Sequence, residues 1–308
     1  MIEVSQGHEK GIGLEVFFKS CICLSQYDLN QIRLHSFKKT IQMTLASMGI
    51  EVGFQAGKVL FAGKELPFKE LKKSETPEST VSLLSALADS KPEDILITLP
   101  TSKDQLILEG QKSLGHTEFL RKFYSVPTAN MCFLSEKLNM ALLTDHIPLK
   151  DVAPFFENEE FVFKKLDTLV TQLEKYFPDL STKFVISGLN PHAGEGGLLG
   201  NQEENLKRSL DKIRKRFPEK EFIGPAPGDT LHHYPDHFLV YAHHDQGLSR
   251  FKASTGFFSS NTTLGLPILR MSVDHGTAFE IFGKNIANYT SCHYIVQRAL
   301  QMRKAING

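Results

Sequence analysis

Apolar runs of five or six residues alternate with longer amphipathic segments along this chain, and that alternation restricts its fold more than any other feature. Run length and periodicity predict strands at the apolar runs and helices between them. The predicted strands are residues 94–99, 130–134, 183–187 and 237–242, and the predicted helices are residues 157–176, 201–217 and 286–305. Because the strands end in or near loops with Pro, Gly or His, an open α/β architecture would gather functional groups at those ends.

Two local patterns refine this prediction. Asn201 stands three residues before Glu204, a spacing that resembles a capping box and predicts the start of the second helix. Residues 51–78 indicate short strands and turns, and we assign them no function.

The charges of the chain balance, with 35 Lys and Arg against 35 Asp and Glu. No global field therefore favours nucleic acid or an anionic membrane, and a small substrate is expected. No stretch approaches the roughly 18 apolar residues of a membrane span. The four cysteines form no CxxC pair, which indicates a reducing compartment. We expect a globular cytoplasmic protein that binds neither nucleic acid nor membrane.

Three histidines lie in turns rich in Gly, Pro or polar residues: His146 in TDHIPLKD, His192 in SGLNPHAGEGG and His244 in YAHHDQGL. Three imidazole ligands and one open position are typical of a catalytic site for zinc or a similar divalent metal. The neighbouring His243 would point the other way in an extended segment, so we interpret it as structural. The same interpretation is given to six further histidines, which are His8, His35, His232, His233, His237 and His293.

The glycine-rich loop around His192 has two interpretations. A strand, a glycine loop and a helix in succession are typical of dinucleotide sites, but Gly194, Gly196 and Gly200 do not match GxGxxG. The alternative is that the loop projects His192 while its glycines let backbone N–H groups approach an anion or cofactor.

Seven strings carry a family resemblance. They are GHTEFL (115–120), TDHIPLKD (144–151), GLNPHAGEGG (188–197), GPAPGDT (224–230), HDQGL (244–248), NTTLGLPILR (261–270) and SVDHGTA (272–278). In this order they resemble the 4-hydroxythreonine-4-phosphate dehydrogenase family, strongly over residues 95–308. The resemblance implies a two-domain, three-layer α/β/α fold like that of isocitrate and isopropylmalate dehydrogenases. The expected domains are residues 1–125 with 262–308, which carry the cofactor turn, and residues 126–261, which carry the metal ligands and dimer interface.

The resemblance also implies an activity. The expected reaction is a metal-dependent, NAD-linked oxidation of 4-phosphooxy-L-threonine, then decarboxylation to 3-amino-2-oxopropyl phosphate, in pyridoxine 5′-phosphate biosynthesis. NADP remains possible, and zinc, cobalt or magnesium would be held by His146, His192 and His244. In the family these ligands cross a dimer interface, so His244 would come from the partner subunit of a homodimer.

Further site residues are implied by matching positions. The expected substrate contacts are His116, Thr117, Lys252, Asn261 and Arg270, with Lys252 also a possible catalytic acid or base. Arginine can grip an oxyanion with two parallel donors, and lysine adds a point charge. The expected cofactor contacts are His275, Gly276 and Thr277, joined by Asp229 and Asn288.

Three strings depart from the family pattern. The usual GDPAGIGPE appears as QGHEKGIGLE, the usual TGPVHK appears as TLPTSK (98–103), and an arginine is lost in TGFFSS (255–260). These changes leave two alternatives open. The protein could act on another phosphorylated hydroxy acid, or it could bind metal and a phosphorylated ligand without catalysis.

Overall fold

The computed structural model describes residues 1–307. Its helices are α1 (Gly13–Ile22), α2 (Gln26–Leu29), α3 (Lys38–Ser47), α4 (Glu78–Asp89), α5 (His116–Phe123), α6 (Val152–Glu157), α7 (Glu159–Tyr176), α8 (Gln202–Arg216), α9 (His244–Thr255) and α10 (Thr290–Asn307). Its strands are β1 (Ile2–Ser5), β2 (Ile32–Ser36), β3 (Val52–Gln55), β4 (Lys58–Phe61), β5 (Lys64–Glu70), β6 (Ile95–Thr98), β7 (Ile107–Leu108), β8 (Gln111–Lys112), β9 (Asn130–Leu134), β10 (Met140–Leu142), β11 (Lys183–Ser187), β12 (Glu221–Ala226), β13 (Phe238–Tyr241), β14 (Ser260–Leu264) and β15 (Leu269–Ser272).

Internal contacts divide the chain into two units. Unit 1 contains Met1–Tyr124, Phe257–Asn261 and the C-terminal segment from Pro267 onward. Unit 2 contains Ser125–Gly256 and Thr262–Leu266.

The sheet of unit 1 has the strand order β15-β6-β1-β2-β5-β4-β3. The first five strands are parallel, and β1 and β6 are buried along their whole length because both faces of a parallel sheet are covered. The last three strands form an antiparallel meander over residues 52–70. This meander confirms the short strands and turns predicted for that region.

The sheet of unit 2 has the order β12-β11-β13-β10-β9. The first four strands are parallel and β9 is antiparallel to β10. Strands β9 and β11 have the predicted bounds, while β6 and β13 are shorter than predicted by one residue at each end. The carboxyl ends of β10, β13 and β11 therefore meet at one edge.

The predicted helices are present with changed ends. The helix predicted over residues 157–176 corresponds to α7, and Glu157 instead ends α6. The Asn158 side chain accepts a 3.0 Å hydrogen bond from the Phe161 amide and so caps α7. The predicted capping box at Asn201 is wrong, because the side chain of that residue makes no cap hydrogen bond to α8. Within residues 1–307, no helix is long and apolar enough to cross a membrane.

Glu3 on β1 of unit 1 is the centre of a cluster of charged and polar side chains, which we call the Glu3 cluster. Glu3 and His35 are both 0% exposed, and the Glu3 carboxylate lies 2.7 Å from His35 Nε2 and 2.9 Å from Arg33 Nη2. His35 Nδ1 is 2.9 Å from the Ser85 hydroxyl. Removing Glu3 would leave buried His35 without its carboxylate partner, whereas Arg33 would keep an ion pair with Asp89 at 3.3 Å.

We predict that Glu3→Ala lowers the free energy of unfolding by about 3 kcal/mol or more, since breaking a buried pair costs about that much. Urea unfolding followed by circular dichroism would measure the loss. Glu65→Ala is the matched control, because Glu65 pairs with Lys58 on the surface and such pairs contribute about 0–1 kcal/mol. Equal losses in the two variants would contradict a structural role for the Glu3 cluster.

Candidate active site

The three predicted metal ligands all follow strands of unit 2. His146 lies in the loop after β10, His192 in a turn of 3-10 type after β11, and His244 at the first residue of α9 after β13. Because β11, β13 and β10 are adjacent and parallel, their following loops start at the same edge of the sheet.

Two of these histidines are brought together. The ring centroids of His146 and His244 are 5.6 Å apart, with 40° between the ring planes. His244 Nδ1 lies 2.6 Å from Asp245 Oδ1, and this hydrogen bond lowers the pKa of Asp245. A proton held on Nδ1 leaves the Nε2 lone pair of His244 available to a metal ion.

The third histidine stands in an unusual backbone. His192, Ala193 and Glu195 have positive φ angles of 53°, 52° and 43°, values that residues other than glycine rarely adopt. Within residues 1–307, no group of three His, Cys, Asp or Glu side chains is arranged to hold a metal. The prediction that His192 joins the other two histidines therefore stays a prediction.

Buried Glu203 holds the base of the His192 loop. Its Oε1 accepts hydrogen bonds from the amides of Leu189 (3.0 Å) and Asn190 (2.8 Å), and its Oε2 accepts one from Asn190 Nδ2 (2.9 Å). The carboxylate therefore fixes the segment that leads into the loop. Sequence reasoning assigned the neighbouring Glu204 to a cap and missed Glu203, whose role is visible only once α8 is packed against the loop.

Unit 1 places a buried cation beside an imidazole. Arg270 on β15 is 3% exposed, and its Nε and Nη2 donate to the Thr98 hydroxyl at 3.0 and 2.7 Å. Burial lowers the pKa of Arg270 to about 9, so the guanidinium is still charged at neutral pH. Burial, and secondly the charge of Arg270, hold the pKa of His116 well below its usual range. His116 is consequently a neutral hydrogen-bonding group near a desolvated cation.

The remaining predicted substrate residues occupy separate elements. Thr117 is the second residue of α5, directly after His116. Asn261 lies on β14, and its Oδ1 is buried without a hydrogen bond to the described residues. Lys252 lies on an exposed face of α9 in unit 2.

The predicted cofactor turn follows β15. His275 Nδ1 lies 3.0 Å from the Gly276 carbonyl oxygen, whereas its Nε2 is buried without a hydrogen-bond partner in the described part of the chain. The Thr277 carbonyl accepts a 3.0 Å hydrogen bond from the Ile12 amide. Such an orphaned ring nitrogen is suited to a polar group of a ligand.

The other two predicted cofactor contacts, Asn288 and Asp229, lie outside the His275–Gly276–Thr277 turn. Asn288 precedes α10, where its Oδ1 accepts from the Thr290 amide at 2.9 Å. Asp229 is an exposed residue of unit 2, and its carbonyl oxygen is 2.6 Å from His232 Nδ1.

Two strings that depart from the family pattern contact each other in unit 1. The His8 amide donates to the Pro100 carbonyl at 2.9 Å. The His8 ring packs edge-on against the Phe279 ring, with the two ring centroids 4.7 Å apart. The Gln105 side-chain nitrogen lies 2.9 Å from His8 Nε2 and 2.8 Å from Glu9 Oε2. The altered N-terminal turn is thus hydrogen-bonded to the segment after TLPTSK and lies beside the cofactor turn.

Comparisons with known proteins show the family of this chain. A family model described as pyridoxal phosphate biosynthetic protein PdxA matches residues 17–299. The 4-hydroxythreonine-4-phosphate dehydrogenase of a Sulfurihydrogenibium species is 31% identical over 319 residues, covering 98% of this chain and 98% of that protein. The crystal structure of the enzyme of that name from Klebsiella pneumoniae has a TM-score of 0.79 at 25% identity, covering 98% of both chains.

The likeness extends to a wider fold group. An isocitrate dehydrogenase structure from Methylococcus capsulatus has a TM-score of 0.50 at 14% identity, covering 99% of this chain and 85% of that one. At this identity the similarity shows the fold alone. The chain thus shares its fold with that isocitrate dehydrogenase, and the predicted α/β class is confirmed. Within that class, the chain belongs to the PdxA family, as the seven strings predicted. A dehydrogenase family implies a nicotinamide cofactor.

We predict that Arg270→Met raises the pKa of His116, because a nearby positive charge disfavours the imidazolium. The pKa should still stay below its ordinary value, since burial is the larger cause and remains. An NMR titration of the assigned imidazole would measure this. Arg121→Met is the matched control, because Arg121 is an exposed residue of the same helix and should leave the His116 titration unchanged. An unshifted His116 in Arg270→Met would contradict the proximity of the two groups.

Proposed function

We propose that this protein catalyses the NAD-linked, metal-dependent oxidation of 4-phosphooxy-L-threonine, followed by decarboxylation to 3-amino-2-oxopropyl phosphate, in pyridoxine 5′-phosphate biosynthesis. The observation that carries the proposal is that all three predicted ligand histidines follow strands whose carboxyl ends lie at one edge of the unit 2 sheet. The relatives named 4-hydroxythreonine-4-phosphate dehydrogenase suggest the substrate. Oxidation transfers a hydride to the nicotinamide, and the resulting β-keto acid loses carbon dioxide.

The metal ligands would be His146, His192 and His244. An imidazole set suits zinc or cobalt, whereas magnesium prefers oxygen ligands. When bound, such an ion would lower the pKa of the substrate hydroxyl and stabilise negative charge on oxygen in both steps. Asp245 would orient His244 through its hydrogen bond to Nδ1.

The anionic groups of the substrate would be bound by Arg270 and its neighbours. Arginine can bind a phosphate or carboxylate through two parallel donors, and at the buried position of Arg270 solvent would screen such an interaction little. Neutral His116 would donate a hydrogen bond without adding charge, and Thr117 and Asn261 would supply further neutral contacts. Lys252 would add a point charge and serve as a proton donor or acceptor.

NAD would bind along the His275–Gly276–Thr277 turn. The buried Nε2 of His275 supports this assignment, because it is available for a hydrogen bond from the cofactor. Asp229 and Asn288 would make additional contacts to the cofactor. The choice of NAD over NADP follows the family. The free thiols of all four cysteines support the predicted cytoplasmic location.

We further propose a homodimer in which His244 is delivered by the partner subunit. Exposed leucines flank the histidine loops, with Leu149 beside His146 and with Leu198 and Leu199 after His192. Exposed large apolar side chains on these loops support an interface. The competing arrangement is a site within one chain, which the adjacency of His146 and His244 would favour.

The activity has a direct test. Purified protein with NAD, 4-phosphooxy-L-threonine and zinc or cobalt should produce NADH, and removal of the metal should abolish it. His192→Ala should remain folded but lose bound metal and lower the rate by more than about 100-fold, since even indirect partners of metal ligands contribute 10- to 100-fold. His233→Ala, an exposed histidine of the same unit, is the control.

The outcomes separate the alternatives. Metal-dependent NADH formation with only another phosphorylated hydroxy acid would support the alternative substrate. Ligand binding without any NADH would support a non-catalytic protein, and unaltered metal content in His192→Ala would refute the ligand assignment.

The shared site predicts complementation between two inactive variants. When His192→Ala and His244→Ala are mixed and allowed to exchange subunits, each mixed dimer regains one intact site. Random exchange should restore roughly a quarter of the wild-type activity, because half of the dimers are mixed and each has one of two sites intact. Activity that stays absent after verified exchange would favour a site contained in one chain.

A further inference from the structure

Gln246, in the first turn of α9, makes three side-chain hydrogen bonds near the predicted metal ligands. Its Oε1 accepts from the Ala242 amide and from the Ser187 hydroxyl, both at 2.9 Å. Its Nε2 donates to the Gly188 carbonyl at 3.0 Å. The amide group therefore joins the carboxyl ends of β11 and β13.

Each of these contacts lies on a segment that leads to a predicted metal ligand. Gly188 is four residues before His192, and Ala242 is two residues before His244. The Ala242 carbonyl also accepts from the amide (3.1 Å) and hydroxyl (2.8 Å) of Thr144, which is two residues before His146. The peptide groups of Ala242 thus link the Gln246 side chain to the third loop.

A fourth segment closes the space around the amide. A Cβ atom on Gly228 would lie 2.4 Å from Gln246 Nε2, so a larger residue there would have to displace the amide from its present position. Gly228 belongs to GPAPGDT, the string that carries Asp229. The surroundings therefore fix the position of the amide as well as its hydrogen bonds.

The chemistry requires an amide in particular. Oε1 must accept two hydrogen bonds while Nε2 donates one to a carbonyl oxygen, and glutamine is the side chain of this length with both functions. A glutamate here would set a carboxylate oxygen against the Gly188 carbonyl oxygen, and a leucine would leave the Ser187 hydroxyl and Ala242 amide with fewer partners.

We propose that Gln246 is a positioning residue that fixes the His192 and His244 segments of one chain, which would supply ligands to the two sites of the proposed dimer, and thereby sets the metal affinity of both sites. This inference rests on the proposed metal-dependent function. Gln246 acts through the backbone of the histidine segments.

The test uses Co²⁺ alone as the probe, without substrate or NAD, and measures its Kd and visible absorption spectrum in the full-length protein. Gln246→Glu and Gln246→Leu should both weaken Co²⁺ binding by about 10- to 100-fold and change the spectrum, as expected when a partner that orients metal ligands is lost. Gln172→Leu is the matched control, because Gln172 lies on α7 of the same unit and its Oε1 accepts no hydrogen bond from the described residues.

Ser187→Ala provides a second, milder variant if either substitution prevents folding. It removes one hydrogen bond to Gln246 but keeps the amide, so it should weaken Co²⁺ binding by less than Gln246→Leu. Amide hydrogen exchange of the metal-free protein should show faster exchange at residues 189–199 in Gln246→Leu than in Gln172→Leu. Circular dichroism would confirm that each compared variant is folded.

The results distinguish this inference from the proposed function. Wild-type protein that binds no Co²⁺ would overturn both. Wild-type protein that binds Co²⁺, with folded Gln246 variants of equal affinity and unchanged spectrum, would overturn the positioning role alone. Weaker binding in both Gln246 variants, with a normal Gln172→Leu control, would support it.

Discussion

The parallel pairing of β10, β13 and β11 is the constraint on which the histidine site depends. Parallel strands place their carboxyl ends at one edge, so three loops far apart in sequence begin as neighbours. Pairing alone fixes only where the loops begin. The hydrogen bonds of the Ala242 peptide groups, to Gln246 and Ser187 on one side and Thr144 on the other, carry that alignment past the strand ends.

Unit 1 holds a cation away from water. Arg270 is buried on β15, and Thr98 on the adjacent strand accepts two of its hydrogen bonds. A nearby His116 that stays neutral adds no second positive charge. The result is a cation whose interaction with a phosphate or carboxylate would be little screened by solvent.

The sequence predicts the elements better than it predicts their connections. Apolar runs bounded by turn residues locate β9 and β11 to the residue, because local burial determines both ends. The roles of Glu203 and Gln246 could not be read in this way, since each depends on a partner 14 or 58 residues away. Asn201 shows the converse error: the cap spacing is present, but the side chain makes no cap hydrogen bond to the helix.

The departures from the family pattern lie within a preserved fold. His8 and Glu9 in the altered N-terminal turn both contact the Gln105 side chain, which follows the second altered string. These residues form a hydrogen-bonded cluster beside the cofactor turn. The third altered string differs, because the Ser259 hydroxyl is buried without a hydrogen-bond partner among the described residues. The fold therefore accommodates the altered strings, at a cost of about 1–3 kcal/mol for a buried polar group left unpaired.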